Sequence, residues 1–217
     1  MGEAVVDQAR PCSFQGKMTP VALNATEPRY PARLRQRLGV DAPVQLSALG
    51  NLDLLVLPKT ALFCSGHCPG DAILRTYDQA ARWRDAGRCV ISGFHSPIEK
   101  ECLRILLRGK PPIIICPARS LEKLRIPFAW RTPLSEGRLL ILSCISSPHH
   151  RVTAELATRR NQFVAALADE VWFAHIAPGG QTEQLAKTIA SWPPTSTPSP
   201  SPSSPTSSAP SPSSPRP

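Results

Sequence analysis

The stretch TALFCSGHCPGDAILRTYDQAARWRDAGRCVISGF, residues 60–94, gives the clearest indication of how this chain folds. Its two apolar runs, TALFC and RCVIS, are each followed by a loop that contains glycine. Between them, residues 72–86 carry apolar side chains at helical spacing, and we predict that Asp71 is the N-cap of this helix. A strand, a helix and a second strand in this order are typical of a βαβ unit with parallel strands.

The same alternation continues to about residue 192. Further short apolar runs follow as PIIIC, RLLILS and EVWFAHI, and we place helices at about residues 98–107, 152–168 and 181–192. Right-handed crossovers between parallel strands put helices on both faces of a sheet. The pattern therefore predicts an α/β fold, a Rossmann-like, doubly wound and mostly parallel sheet in a three-layer α/β/α arrangement.

We divide the chain into three parts. Residues 1–58 are predicted to form an N-terminal lead-in and small lobe, residues 59–192 the Rossmann-like domain, and residues 193–217 a Pro/Ser-rich tail. The tail has too little apolar surface to offset the entropy cost of ordering, so we predict that it is disordered. It contains one charged residue, so nearly all of the net charge of +9 belongs to the rest of the chain and favours a polyanionic partner.

The cysteines and the hydropathy pattern bear on compartment and metal binding. The seven cysteines are odd in number and scattered, several of them beside predicted strands, which favours free thiols in a reducing compartment. We find no secretory signal and no stretch near the ~20 apolar residues of a membrane span, so we predict a cytoplasmic protein. Cys64 and Cys68, with His67 between them, have no second Cys/His pair at zinc spacing, and we predict no metal site.

Ligands of an open parallel sheet bind beyond the carboxyl ends of its strands, where the strand order reverses. Three of the four loops that follow predicted strands contain glycine, and each leads toward a helix start, where backbone N–H groups attract anions. The loops match neither GxGxxG nor GxxxxGK[ST], so no dinucleotide cofactor is predicted. These loops predict a phosphate-binding pocket, and the residues selected from them are Ser65, Gly66, His67, Ser92, Gly93, Arg119, Gly179, Gly180 and Thr182.

Two groups of arginines add to this interpretation. Arg159 and Arg160 precede Asn161 in a polar interruption of the predicted 152–168 helix, and their donors suit a phosphodiester. We therefore add these three residues to the predicted phosphate site. Arg33 and Arg37 share one face of a short predicted helix at i,i+4, and both a solvated face and a DNA contact stay open.

In this order, the segments resemble the DprA (also called Smf) family of DNA-processing proteins, within the wider SLOG superfamily of Rossmann-like domains. The best match is RRNQFVAALAD, residues 159–169, to the family's RRNRIIAGLSD. Weaker matches are YPARL from Tyr30, LGNL from Leu49, CSGH from Cys64, ISGFHSPIE from Ile91 and GGQT from Gly179. The resemblance covers about residues 28–192. The family has a basic residue where His67 stands and a further arginine in the loop that here reads His95-Ser96-Pro97.

The resemblance implies a protein that binds single-stranded DNA in DNA uptake, natural transformation and recombination. It implies that the DNA is passed to a recombinase, that the protein forms a homodimer, and that it has no catalytic residues or cofactor. Two alternatives stay open, a sensor of a nucleotide ligand and an enzyme. Residues 178–183 also resemble the PGGxGTxxE motif of LOG phosphoribohydrolases, in which Glu183 with Arg159 or Arg160 would act on a nucleotide's N-glycosidic bond.

Overall fold

The computed structural model describes residues 19–146 and 152–192, so the predictions for residues 1–18 and for the tail lie outside the described residues. Within this part the chain forms seven strands and six α-helices. The strands are β1 (Val21–Asn24), β2 (Gln45–Gly50), β3 (Lys59–Phe63), β4 (Cys89–Ser92), β5 (Ile113–Ile115), β6 (Leu139–Ser143) and β7 (Glu170–Phe173). The helices are α1 (Ala32–Leu38), α2 (Gly70–Asp85), α3 (Pro97–Leu107), α4 (Phe128–Ser135), α5 (Ala154–Leu167) and α6 (Gln181–Ala190).

All seven strands form one sheet in the order β1-β2-β6-β5-β4-β3-β7. The strands β6, β5, β4, β3 and β7 are parallel to one another, whereas β2 pairs antiparallel with both β1 and β6. From β3 the chain adds β4, β5 and β6 in one direction and then returns to place β7 on the other side of β3. The strand order therefore reverses at β3, and the predicted doubly wound, mostly parallel fold is confirmed.

Helices cover both faces of this sheet. Successive strand residues point to opposite faces, so Ala61 and Phe63 belong to one buried cluster and Leu62 to the other. The first cluster includes side chains of α1, α5 and α6, and the second includes side chains of α2, α3 and α4. These two apolar layers hold the central strands in place, and they position the loops at the carboxyl ends of those strands.

The N-terminal segment takes part in the sheet and is not a separate lobe. Strand β2 pairs with β6, from Ser47 opposite Ser143 to Gly50 opposite Leu140, and β1 extends the edge beyond it. The predicted boundary at residue 58 therefore corresponds to no break in the sheet. An antiparallel hairpin added to a parallel sheet lies outside the strand–helix alternation on which the boundary was based.

The arginines of α1 cap the C-terminus of α5. Arg37 donates to the carbonyls of Ala165 (3.0 Å) and Ala168 (2.7 Å). Arg33 donates to the same Ala168 carbonyl at 3.1 Å and pairs with Asp169. The last carbonyls of a helix lack partners within the helix and carry partial negative charge. These contacts hold α1 against α5, so the interpretation of this face as a solvated one is wrong.

Two local predictions also need correction. Asp71 is not the cap of α2, because the cap position belongs to Pro69, and the Asp71 carboxylate pairs instead with Arg75 at 2.6 Å. Helix α4 was not predicted, because its Pro133 lacks the N–H that a helix interior uses, and such a segment is typical of a loop. It nevertheless buries Leu134 in the cluster beneath α2 and α3.

The cysteines that the structure describes are free, and most of them are buried. Burial raises the pKa of Cys89 to about 11 and that of Cys102 to about 12. Such thiols are uncharged at neutral pH and pack as apolar groups. Among residues 19–146 and 152–192, His, Cys, Asp and Glu side chains form no cluster of three or more that suits a metal ion. Within the same residues, no helix is both long and apolar enough to cross a membrane.

Candidate phosphate-binding cleft

A cleft of about 460 Å³ opens at the carboxyl ends of β3, β4 and β7, where the strand order reverses. We call it the switch cleft. Its walls are the loop after β3, the loop after β4 with the start of α3, the middle of α5, and the loop that leads into α6. The predicted site residues that line it are Ser65, Gly66, His67, Arg160, Asn161, Gly180 and Thr182.

Ser65 ties the loop after β3 to the loop after β7. Its backbone N–H donates to the His175 carbonyl at 3.2 Å, and its hydroxyl oxygen accepts from the Ala177 N–H at 2.9 Å. Gly66 and His67 follow on the exposed side of this connection. A Cβ at Gly66 would meet nothing within 4 Å, so the backbone there is open to a ligand.

Glu99 holds the loops on either side of the switch cleft together. Its Oε2 accepts from the N–H groups of His95 (2.9 Å) and Ser96 (3.1 Å), and its Oε1 accepts from the Cys64 N–H at 3.2 Å. In return the Ser96 hydroxyl accepts from the Glu99 N–H, which completes a capping box at the start of α3. The buried carboxylate is therefore occupied with three backbone donors, and this arrangement fixes the shape of the cleft.

Arg160 forms the floor of the switch cleft. Its side chain is only 5 % exposed, Nη1 donates to the Cys116 carbonyl at 3.2 Å, and Nε donates to Asn161 Oδ1 at 2.8 Å. Burial lowers the pKa of Arg160, and nearby Glu99 opposes that effect. A Cβ at Gly93 would lie 1.3 Å from Arg160 Nη1. Gly93 therefore leaves space for the guanidinium, and it lines the cleft that contains Arg119 and not the switch cleft.

Two other predicted site residues have polar groups that are already in use. Ser92 is fully buried, and its hydroxyl oxygen accepts from the Phe94 N–H at 3.1 Å. The Gly179 N–H donates to Glu183 Oε2 at 2.8 Å, and the positive φ of Gly179, 71°, suits glycine. Neither Ser92 nor Gly179 lines the switch cleft.

Arg119 lies in a second cleft of about 820 Å³, on the other side of the loop after β4. We call it the basic cleft, because Lys100 and Arg104 line it as well, together with the half-buried ring of Trp130. Arg160 borders both clefts, so the guanidinium and the loop after β4 form the wall between them.

Arg159 is in neither of these clefts. It lines two other clefts, of about 700 and 570 Å³, near Pro43 and Cys144. Consecutive residues of an α-helix point about 100° apart around its axis, so Arg159 and Arg160 cannot face the same space. Of the RRN segment that the sequence selected, only Arg160 and Asn161 reach the switch cleft.

The structure adds residues that the sequence did not select. His95, Ser96 and Gln181 line the switch cleft, each in a loop or helix start that follows a strand. His95 had no nucleophile or metal-ligand partner in the sequence, and without such a partner a lone histidine carries little signal. The sequence signal that could have identified His95 as a cleft residue is its position in the loop after β4.

Comparisons with known proteins agree with this architecture. The family model described as DNA recombination-mediator protein A matches residues 22–177. DNA processing protein A (DprA) from Streptococcus pneumoniae has a similar structure, with 22 % identity and a TM-score of 0.61 over 81 % of this chain. The chain covers 61 % of that protein. DNA processing protein A from Helicobacter pylori, whose structure describes a single-stranded DNA binding mode, has 18 % identity and a TM-score of 0.61, with 79 % of this chain and 76 % of that one covered. No curated protein matches the chain significantly.

Proposed function

The chain belongs to the DNA recombination-mediator protein A family, and from that premise we propose that it binds single-stranded DNA by its phosphates in the switch cleft. We propose further that it acts in DNA uptake, natural transformation and recombination. The observation that carries the proposal is the place of the cleft. It lies at the strand-order reversal of a doubly wound sheet, the usual ligand position of such folds, and residues of the family's matched segments line it.

The walls of the switch cleft suit a phosphodiester. Gly66 offers open backbone at the cleft. Gly180, whose N–H donates to the Ala177 carbonyl at 3.2 Å, is the N-cap of α6, where a helix N-terminus favours an anion. The hydroxyl of Thr182 and the amides of Asn161 and Gln181 add donors. Contacts of this kind hold the backbone of a nucleic acid and carry no base information, so binding should be nearly independent of sequence.

The basic cleft gives the strand a way to continue beyond the switch cleft. Lys100 and Arg119 place positive charge there, next to Arg104, which pairs with Glu101 at 2.6 Å, and Trp130 offers a ring on which a base can stack. Phe94, the aromatic residue of the loop between the two clefts, is buried and is not available for stacking. We therefore propose that phosphates are bound in both clefts and that stacking is confined to Trp130.

Binding of labelled oligonucleotides, compared with a panel of mononucleotides, tests the proposal. The measurement is fluorescence anisotropy across a series of salt concentrations. Wild-type protein should bind unrelated oligonucleotide sequences alike, and its affinity should fall steeply with salt. Arg119→Ala should weaken binding. It should also flatten the salt slope, which is the slope of the logarithm of the association constant against the logarithm of the salt concentration, by about 0.7, the value for one neutralised phosphate of a single strand. Binding of mononucleotides alone would favour the nucleotide sensor.

Arg82→Ala is the matched control, because Arg82 is exposed on α2 and lines neither cleft. We expect it to leave both the affinity and the salt slope as in the wild type. An equal effect of the two substitutions would mean that net charge, and not the basic cleft, drives binding. Trp130→Leu removes the ring while keeping an apolar side chain, and its loss of affinity measures the stacking contribution, about 1–3 kcal/mol per stacked base.

The enzyme alternative has less support. Glu183 does not line the switch cleft, and its carboxylate is bound by the Gly179 N–H and by Lys187, at 3.3 Å from Nζ. The hydrogen bond from Gly179 and then Lys187 lower the pKa of Glu183, which suits a structural carboxylate and not a proton donor. Incubation with nucleoside monophosphates should release no free base. Base release that is lost in Glu183→Gln would favour the hydrolase.

Transfer of the DNA to a recombinase and formation of a homodimer are also proposals, supported by membership of a recombination-mediator family. Light scattering of the purified chain tests the dimer. A pull-down of a purified recombinase, with and without single-stranded DNA, tests the transfer. The free cysteines and the nucleic-acid substrate agree with a place in the cytoplasm, and fractionation of cells tests it.

A further inference from the structure

The switch cleft has little permanent positive charge at its surface. The charged side chains that line it, among the residues the structure describes, are Glu99 and Arg160. Arg160 is 5 % exposed and donates to the Cys116 carbonyl, while Glu99 is buried and accepts three backbone N–H groups. Arg160 lies in the floor of the cleft and Glu99 in its wall, and because their charges are opposite, they give the cleft no net charge.

The exposed residues of the cleft that can become positive are His67 and His95. His67 lies in the loop after β3 and His95 in the loop after β4, so they flank the opening from two neighbouring strands. Histidine is the side chain that gains its charge between pH 5 and 8. A phosphodiester bound beside an imidazole favours the charged form, so binding takes up a proton and weakens as pH rises.

We propose that protonation of His67 and His95 strengthens their binding to DNA phosphates, and that the affinity of the switch cleft for single-stranded DNA therefore falls as pH rises. The inference rests on the proposed function of this cleft. The proposal gives the two clefts different sources of positive charge: histidines at the switch cleft, and Lys100, Arg104 and Arg119 at the basic cleft, which His95 borders as well.

The other titratable groups around the cleft do not supply this pH dependence. Cys64, in the loop after β3, has its pKa raised, chiefly by burial and then by Cys68, so it stays uncharged. On the basic-cleft side, His95 shares the lining with Lys100, with Arg119 and with Arg104, which pairs with Glu101 at 2.6 Å. In the segment from β7 to α6, His175 and Glu183 lie outside the cleft lining, and Glu183 pairs with Lys187.

The test is the affinity of the full chain for oligothymidylate with a 5′-hydroxyl end, measured by anisotropy between about pH 5.5 and pH 8 at constant salt. Phosphodiesters and thymine do not titrate in this range, so any slope belongs to the protein. For each proton that is taken up on binding, the logarithm of the association constant falls by up to about one when pH rises by one unit. We expect wild-type binding to weaken at least about tenfold over the range, and the variant with His67→Gln and His95→Gln to change less than about twofold.

Two further variants complete the experiment. His175→Gln is the matched control and should keep the wild-type slope, because His175 does not line the cleft. His67→Arg should bind more tightly than the wild type at about pH 8, since arginine keeps its charge there. Thermal unfolding of each variant checks that the substitutions leave the fold intact.

The outcomes separate the two proposals. Failure of the wild type to bind the oligonucleotide at any pH would overturn the proposed function and this inference with it. Binding without a pH slope, or a slope that survives in the double glutamine variant, would overturn only the inference and leave DNA binding in place.

Discussion

Replacing Gly93 by alanine tests whether the packing of Arg160 sets the shape of the loop after β4. A Cβ at Gly93 would lie 1.3 Å from Arg160 Nη1 and 2.1 Å from Cζ, so the guanidinium would have to move. It would then lose its bond to the Cys116 carbonyl, and a hydrogen bond of a charged group contributes about 1.5–3 kcal/mol. We expect Gly93→Ala to lower the free energy of unfolding by about this amount, and Tm by about 3–12 °C for a domain of this size.

The assay is urea unfolding followed by circular dichroism, with Gly66→Ala as the control. Gly66 lies in the equivalent loop after β3, where a Cβ would meet nothing within 4 Å, so we expect a change below about 0.5 kcal/mol. In an Arg160→Ala background, Gly93→Ala should also cost less than about 0.5 kcal/mol, because the group it displaces is gone. Equal costs of Gly93→Ala with and without the Arg160 side chain would refute the reasoning.

The contacts between α1 and the end of α5 support two further predictions. Arg37→Ala removes donors from the last carbonyls of α5 and should lower the free energy of unfolding, measured in urea, by about 1–3 kcal/mol. Arg29→Ala, at an exposed arginine before α1, is the control. A decrease for Arg37→Ala no larger than that for Arg29→Ala would argue against the cap. Burial alone would raise the pKa of Asp169, but the Lys59 N–H and the Arg33 guanidinium outweigh it and lower the pKa. The ionised Asp169 carboxylate therefore stabilises the fold at a pH above its unfolded-state pKa, and this contribution is lost as pH falls through the lower pKa of the folded state. Below about pH 4, the free energy of unfolding should depend on pH less in Asp169→Asn than in the wild type. The same pH dependence in both proteins would count against this prediction.

The parallel part of the fold could be predicted because its signal is repeated along the chain. Each strand from β3 to β7 is a short apolar run, and every predicted helix matches an observed one within a few residues. The hairpin of β1 and β2 could not be predicted as part of the sheet, since nothing local specifies that Ser47 pairs with Ser143, 96 positions later in the chain. Helix α4 was hidden by Pro133, whose cost is offset by burial of Leu134.

The candidate site could be predicted at the level of loops but not of side chains. The sequence indicates which loops follow strands, and their convergence at one edge then follows from the topology. It does not reveal that Arg160 is buried, so substituting Arg159 and Arg160 together would disturb the fold as well as any ligand contact. Helical geometry alone, at about 100° per residue, could have separated Arg159 from its neighbour at the sequence level.

The order of the strands in the sheet also affects how this protein folds during translation. Strand β3 is the first of the parallel strands to leave the ribosome, yet Thr60 pairs with Glu170 of β7, 110 positions later. Until β7 is synthesised, one edge of β3, a fully buried strand, has no partner, and an unpaired edge invites pairing with other chains. The sheet of the nascent chain therefore stays incomplete until β7 has emerged, and the long sequence separation of these contacts slows the final pairing. A pause in synthesis between residues 143 and 170 would prolong the period in which nascent chains are exposed to aggregation.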